Sequence, residues 1–186
     1  MPYTLTARMG NLVMEPKATF IVNASNTQML LGSGVSMAFK RRCGSGLEAV
    51  MRRKLEAIEG GIHPGDVVAT SSGEAGNFRY ALHAAVMNYD PGVRQRDKFP
   101  TLETIRMILE SIEAYLSWYA AHHSPQMKLV LPLLGCGIGG LDKWEVLEQY
   151  REFFLRDVAY ACEVVVYGYS AEDYGLIRDV MTGTNI

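Results

Sequence analysis

A chain of 186 residues with 48% apolar and 20% charged side chains has the length and makeup of one folded domain with a sizeable core. Its formal net charge of −2 gives no electrostatic basis for non-specific nucleic-acid binding, which needs a basic excess. The three cysteines, Cys43, Cys136 and Cys162, are far apart and odd in number, which excludes a disulfide framework or zinc-ligand pattern and favours a reducing, cytoplasmic setting.

The chain opens on "MPYTLTARMGNLVM", which lacks a basic region followed by a long apolar run, so no signal peptide is expected. No stretch approaches ~18 consecutive apolar residues, so no membrane span is expected either. Within that opening, "PYTLTAR" is the weakest of six strand candidates. "ATFIVNA" from Ala18 is stronger, and a helical pattern begins near Ser36 after Gly32-Ser33-Gly34. A second helical stripe runs through Leu47, Val50, Met51, Leu55 and Ile58 and meets Gly60-Gly61. "DVVATSS" and "RYALHAAVM" then read as strands, rich in β-branched and apolar residues and bounded by Gly, Asn or Asp.

After a breaker-rich loop from Asn88 to Pro100, a 3.6-residue stripe through Ile105, Ile108, Ile112, Leu116 and Tyr119 predicts a long helix. "KLVLPLL" reads as a fifth strand. A further stripe follows through Trp144, Leu147, Tyr150, Phe154 and Val158, then the strand "EVVVYGY" and a last helix carrying Tyr174, Ile177 and Val180. The strand runs are nearly continuous in apolar character, as expected where both faces of a sheet are covered. The sum is a three-layer α/β/α sandwich with a central mixed sheet, one domain over residues 1–186. Helix stripes of this kind face a core and need no functional explanation.

Chemistry is expected at the carboxyl ends of the strands, where loops lead into helices. Two such loops are glycine-rich: Gly32 to Val35, and "GCGIGGLDKW" from Gly135 to Trp144. Glycines at a strand-to-helix junction let backbone N–H groups approach phosphate oxygens closely. Neither loop is a Walker loop, since no G-K-[ST] follows, and neither carries the G-x-G-x-x-G dinucleotide fingerprint after a first strand. Taken singly, each reads equally as a phosphate cradle or as a plain turn.

Together, "IVNASN", "GSGVSMAFKRRCG", "GDVVATSSG", "RYALHAAV" and "LPLLGCGIGGLDKWEV" occur in the order and spacing of the macrodomain family, which the chain resembles from about Gly10 to Tyr174. The resemblance implies ADP-ribose or an ADP-ribosylated macromolecule as the partner, and no cofactor or metal. It places Asn26 on the distal ribose and Asn23 as a brace beside it. The first phosphate loop maps onto Gly32, Ser33, Gly34 and Val35, and the second onto Gly135, Cys136, Gly137, Ile138, Gly139, Gly140 and Leu141. Tyr169 is the ring expected against adenine, with Tyr167 its neighbour. Asn11, followed by Leu12, stands where relatives often carry an Asp for the adenine amino group, and an amide oxygen accepts less strongly than a carboxylate.

A second departure concerns catalysis. Many hydrolytic macrodomains carry an Asp ten residues after the ribose-binding Asn, and here that place holds Ser36, a poor general base with no sequence-adjacent histidine. Asn26, Ser36 and Asp142 are the weak catalytic candidates that remain. Asp142 reads first as a helix N-cap, and His83 as a satisfied core histidine ahead of a catalytic one. Three readings stay open. The first is a binding domain, with or without slow hydrolysis of ADP-ribose 1″-phosphate or an O-acyl ester. The second is a glycohydrolase acting on ADP-ribosylated DNA or protein with non-standard residues. The third, more remote, is an RNA-binding domain using the basic run Lys40-Arg41-Arg42, whose simpler reading is a solvated helix face. Nothing in the residues speaks to oligomeric state.

Overall fold

The computed structural model describes residues 3–32 and 34–183. All six strand candidates are strands: β1 (Tyr3–Met9), β2 (Ala18–Asn26), β3 (Val67–Ser71), β4 (Phe78–Met87), β5 (Gln126–Leu131) and β6 (Ala161–Gly168). They form one sheet in the order β1-β6-β5-β2-β4-β3. Every neighbouring pair is parallel except β3 with β4, which makes the sheet mixed. The five helices are α1 (Val35–Cys43), α2 (Leu47–Glu56), α3 (Leu102–His122), α4 (Lys143–Phe153) and α5 (Ala171–Thr182).

Alternation along the strands explains the layers. Phe20, Val22, Leu82, Leu129, Leu131, Val164 and Val166 pack on one face against α3, α4 and α5, through Ile105, Ile112, Val146, Leu147 and Ile177. Their neighbours Ile21, Ala81, Ala85, Val130 and Val165 pack on the other against Phe39 of α1 and Leu47 and Met51 of α2. Both faces are therefore dry, which is why the strand runs read as continuous apolar stretches. Three sequence expectations shift. The stripe placed through Phe154 and Val158 outruns its helix, since α4 ends at Phe153, Phe154 caps it and Val158 lies beyond. The second helix ends at Glu56, capped by Ala57, so Ile58 lies beyond it and is exposed. Trp144, placed on a core stripe, sits in the first turn of α4 at 41% exposure, and the core contacts begin only at Val146.

A line of polar groups crosses the second, α1-facing side. Asn23 and His83 are register partners on β2 and β4, both fully buried. Thr70 on β3 donates its hydroxyl to the Ser71 carbonyl, so it accepts from His83 Nε2 at 2.9 Å. His83 Nδ1 then accepts from Asn23 Nδ2 at 3.0 Å, and Asn23 Oδ1 accepts from Ser36 Oγ of α1 at 3.0 Å. The chain of donors is complete only with a neutral imidazole protonated on Nε2. Burial, helped by the positive charge of Lys54, pushes the His83 pKa down to about 3.

That shift fixes a pH dependence. The unfolded chain takes up a proton on His83 near pH ~6.5, while the folded protein refuses it until about 3. The stabilisation is therefore complete above the unfolded value and drains away as pH falls through the window between the two, at up to ~1.4 kcal/mol per pH unit. Urea unfolding followed by circular dichroism from pH 7 to 5 should show this fall, and His83→Gln should be less stable at pH 7 but flatter across the window. Equal slopes in the two proteins would remove His83 as its source.

Candidate functional site

At the end of β2 the pairing with β4 slips between Ser25 and Asn26, and the chain leaves the sheet. The Asn26 carboxamide organises the exit. Its oxygen accepts from the Gln28 and Leu30 amides at 3.1 and 3.2 Å, and its nitrogen donates to the Leu30 carbonyl at 3.0 Å. Two acceptor sites and one donor hydrogen are thus engaged, and among the described residues the second amide hydrogen has no partner. Gly34 then takes φ 59° and ψ −129°, a conformation that side chains with a Cβ rarely adopt, and α1 starts with no side-chain cap. The first-turn amides of an uncapped helix are natural anion donors. Ser33 lies outside the described residues.

The second loop follows β5. It is pinned from below by Tyr150 of α4, fully buried, whose hydroxyl donates to the Pro132 carbonyl at 2.7 Å and accepts from the Leu134 amide at 3.0 Å. The loop closes on itself through Leu141 N–H to the Gly135 carbonyl at 2.9 Å. A Cβ on Gly139 would sit 2.5 Å from that same carbonyl oxygen, so the tight fold requires glycine there. Among the described residues nothing accepts from the amides of Gly137, Ile138 and Gly139.

Both loops wall one cavity of about 530 Å³, lined by Asn26, Gly32, Gly34, Val35 and Ser36 on one side and Gly135, Gly137, Ile138 and Gly139 on the other. A second cavity of about 770 Å³ holds Asn11, Leu12 and Tyr169, and it shares Gly34 and Val35 with the first. The two meet at the start of α1, at the carboxyl ends of the parallel strands. Tyr169, directly after β6, is 93% exposed over the second cavity. Asn11 is exposed, and its side-chain oxygen accepts from Val13 N–H at 3.3 Å, capping a short 3-10 turn, Leu12–Met14.

That turn is held by Glu15, a carboxylate only 1% exposed. Arg8 approaches it at 3.1 Å and Lys128 at 3.2 Å, and the Tyr167 phenol donates to it. Burial alone pushes the Glu15 pKa upward, but the phenol and the two cations outweigh it, and the net direction is down. Tyr167 thus braces the turn that carries Asn11 and Leu12.

Several sequence candidates stand off the cavities. Asn23 is sealed behind the first loop, its carboxamide joined to His83 and Ser36, so it presents a brace and not a ligand group. Ser36 lines the cavity, but its hydroxyl lies 3.0 Å from both Asn23 Oδ1 and the Ala24 carbonyl, so its proton points into the protein. Asp142 accepts from Glu145 N–H at 3.0 Å as the N-cap of α4, and Lys143 pairs with Asp173 at 2.6 Å. Cys136 is half-buried with its Sγ directed at the Leu134 carbonyl, and burial pushes its thiol up to about 11, leaving it protonated at neutral pH. Gly140 and Leu141 close the loop without lining either cavity.

Other lining residues were unmarked in the sequence or, for Arg41 and Arg42, marked only as part of a basic run. Leu30, Met87, Tyr89 and Leu133 reach the first cavity, and Met37, Arg41 and Arg42 the second. Tyr89 had a partial signal: it stands just past the end of a strand run, and in open α/β sheets the loops at strand ends gather on a site. Arg41 and Arg42 had only their charge.

Against this geometry, comparison with known proteins is consistent throughout. The Macro domain family model matches residues 22–150. A macro domain-containing protein of Vibrio parahaemolyticus is 30% identical over 164 residues, covering 87% of this chain and 88% of the relative. Among solved structures, an Oceanobacillus iheyensis macrodomain variant with ADPR superposes with a TM-score of 0.78 at 18% identity, covering 98% of this chain and 94% of the other. The macrodomain of Mycobacterium tuberculosis DarG gives 0.68 at 18% identity, over 90% and 99%. Loop spacing, sheet order and these matches agree that the chain belongs to the Macro domain family.

Proposed function

We propose that the joined cavities bind ADP-ribose. The observation that carries this reading is their meeting point. Unpartnered loop amides and an uncapped helix start converge at Gly34 and Val35, where a diphosphate would bridge two compartments. Adenosine then lies along Asn11 and Leu12 beside Tyr169, and the distal ribose enters the cavity that Asn26 lines. The solved relatives with ADPR or ADP share the fold and support the same ligand class.

The distal cavity has walls suited to holding more than to cutting. Among its described lining residues there is no carboxylate, imidazole or amine, and Tyr89 is the one ionisable side chain. A general base must sit within hydrogen-bond reach of the proton it removes. The reading is therefore a binding domain for ADP-ribose or an ADP-ribosylated macromolecule. The attached group would leave past the exposed side chains of Leu30, Tyr89 and Ile138. Hydrolysis of a 1″-phosphate or O-acyl ester would have to use the ligand's own phosphate to steer a water.

Calorimetric titration should give micromolar binding of ADP-ribose, with ADP weaker and AMP weaker still. Asn26→Ala should weaken ADP-ribose binding tenfold or more, about 1.4 kcal/mol, with a thermal melt run beside it because the same side chain orders residues 28–30. Absence of binding at millimolar ADP-ribose by the folded protein would end the proposal. Incubation with ADP-ribose 1″-phosphate and O-acetyl-ADP-ribose should release no more phosphate or acetate than a protein-free blank. Clear turnover of either would make the domain a hydrolase instead.

A further inference from the structure

The compartment assigned to adenosine is more positive than adenosine requires, an argument that rests on the ADP-ribose reading. Its described lining contains two arginines, Arg41 and Arg42, and no acidic side chain. Arg42 donates from Nε and Nη2 to Asn77 Oδ1 at 2.9 and 2.7 Å, a neutral amide that orients the guanidinium without cancelling its charge. Asn77 in turn donates to the Val13 and Glu15 carbonyls at 2.8 Å each, so Arg42 is tied to the turn that carries Asn11. Arg41 is exposed and has no ion pair among the described residues, whereas Lys40 beside it reaches Glu48 at 3.5 Å. Glu15, next in the chain after that turn, is already matched by Arg8 and Lys128.

Position along α1 matters as much as charge. The helix starts at the diphosphate junction, and Arg41 lies six residues past Val35, about 9 Å further along the axis at 1.5 Å per residue. The diphosphate charge is therefore met at one end of the compartment and the guanidinium charge waits at the other. Adenine and an unmodified ribose are neutral and give the arginines nothing to pair with. A phosphate ester on that ribose does, since a guanidinium fork matches phosphate oxygens and an arginine near an adenosine ribose is a known way to hold a 2′-phosphate.

We infer that the groove accepts, and favours, an ADP-ribose-type ligand bearing an additional phosphate on the adenosine ribose, with Arg41 its direct contact and Arg42 adding fixed positive charge. The shared chemistry is a ribose phosphomonoester or diester. A 2′ position would mark a ligand derived from a 2′-phosphorylated dinucleotide, and a 3′ position one derived from a nucleotide linked as in RNA.

The test is calorimetric titration of ADP-ribose and ADP-ribose 2′-phosphate at low and at moderate salt. Alongside it, adenosine 2′,5′-bisphosphate and 3′,5′-bisphosphate compete against ADP-ribose, with 5′-AMP as reference. At least fivefold tighter binding of one phosphorylated form, shrinking with added salt, is expected, and the preferred isomer names the source. In Arg41→Gln the ratio of phosphorylated to unphosphorylated affinity should fall to near one, and Arg41→Lys should restore part of it. Bound ADP-ribose with no preference for either phosphorylated form would overturn this inference and leave the ADP-ribose reading standing. A preference that survives Arg41→Gln would overturn the assignment to Arg41. Failure of ADP-ribose itself to bind would remove both readings.

Discussion

A single uncharged imidazole holds the interior of this protein in register with its groove. His83 sits between two strands with no solvent contact, and each ring nitrogen has one partner of the required sense. Were it charged, Asn23 would have to turn its amide around, and the oxygen that receives Ser36 would face the wrong way. The start of α1 is therefore tied to the β4–β3 edge of the sheet by hydrogen bonds that tolerate only one protonation state. Buried polar chains of this kind are costly when half satisfied and rigid when complete. Here completeness fixes the position of Gly34 and Val35, the residues common to both compartments.

The groove divides its chemistry by compartment. Backbone donors gather in the middle, where they carry no titratable group and so act alike at every pH. Guanidinium charge lies at one end and apolar side chains at the other. Of the catalytic candidates, Ser36 is engaged in the interior chain and Asp142 in a cap, and the nearby Lys143 and Cys136 are likewise occupied, one in an ion pair and the other protonated and turned inward. Under the proposed binding function, a surface built this way selects its ligand by shape and charge placement.

Much of the architecture was legible because its causes are local. Apolar runs with β-branched residues gave all six strands, and the stripes gave five helices, since both periodicities are set by backbone geometry. Asp142 as a cap and His83 as a core residue were likewise readable from their neighbours. Strand order was not, because the pairing of β1 with β6 joins residues some 160 positions apart, as in Tyr3 with Cys162. Trp144 misled because periodicity finds a face without saying at which turn that face meets the core. Arg41 and Arg42 misled for a related reason: exposure to a groove and exposure to bulk water look the same on a helical wheel. The role of the Asn26 oxygen as a loop organiser could not be read without knowing that the chain turns back at Leu30.

Tyr150 carries a consequence for kinetics. Its hydroxyl holds both the carbonyl before the second loop and the amide at its start from beneath, and Gly139 admits no bulkier residue that would let the loop open. A loop anchored in this way has surrendered its conformational freedom during folding, so a ligand arriving there orders little backbone. Association should then proceed as encounter with a ready-made surface, without a slow closing step, and the lifetime of the complex will be decided by how quickly the ligand's own contacts break.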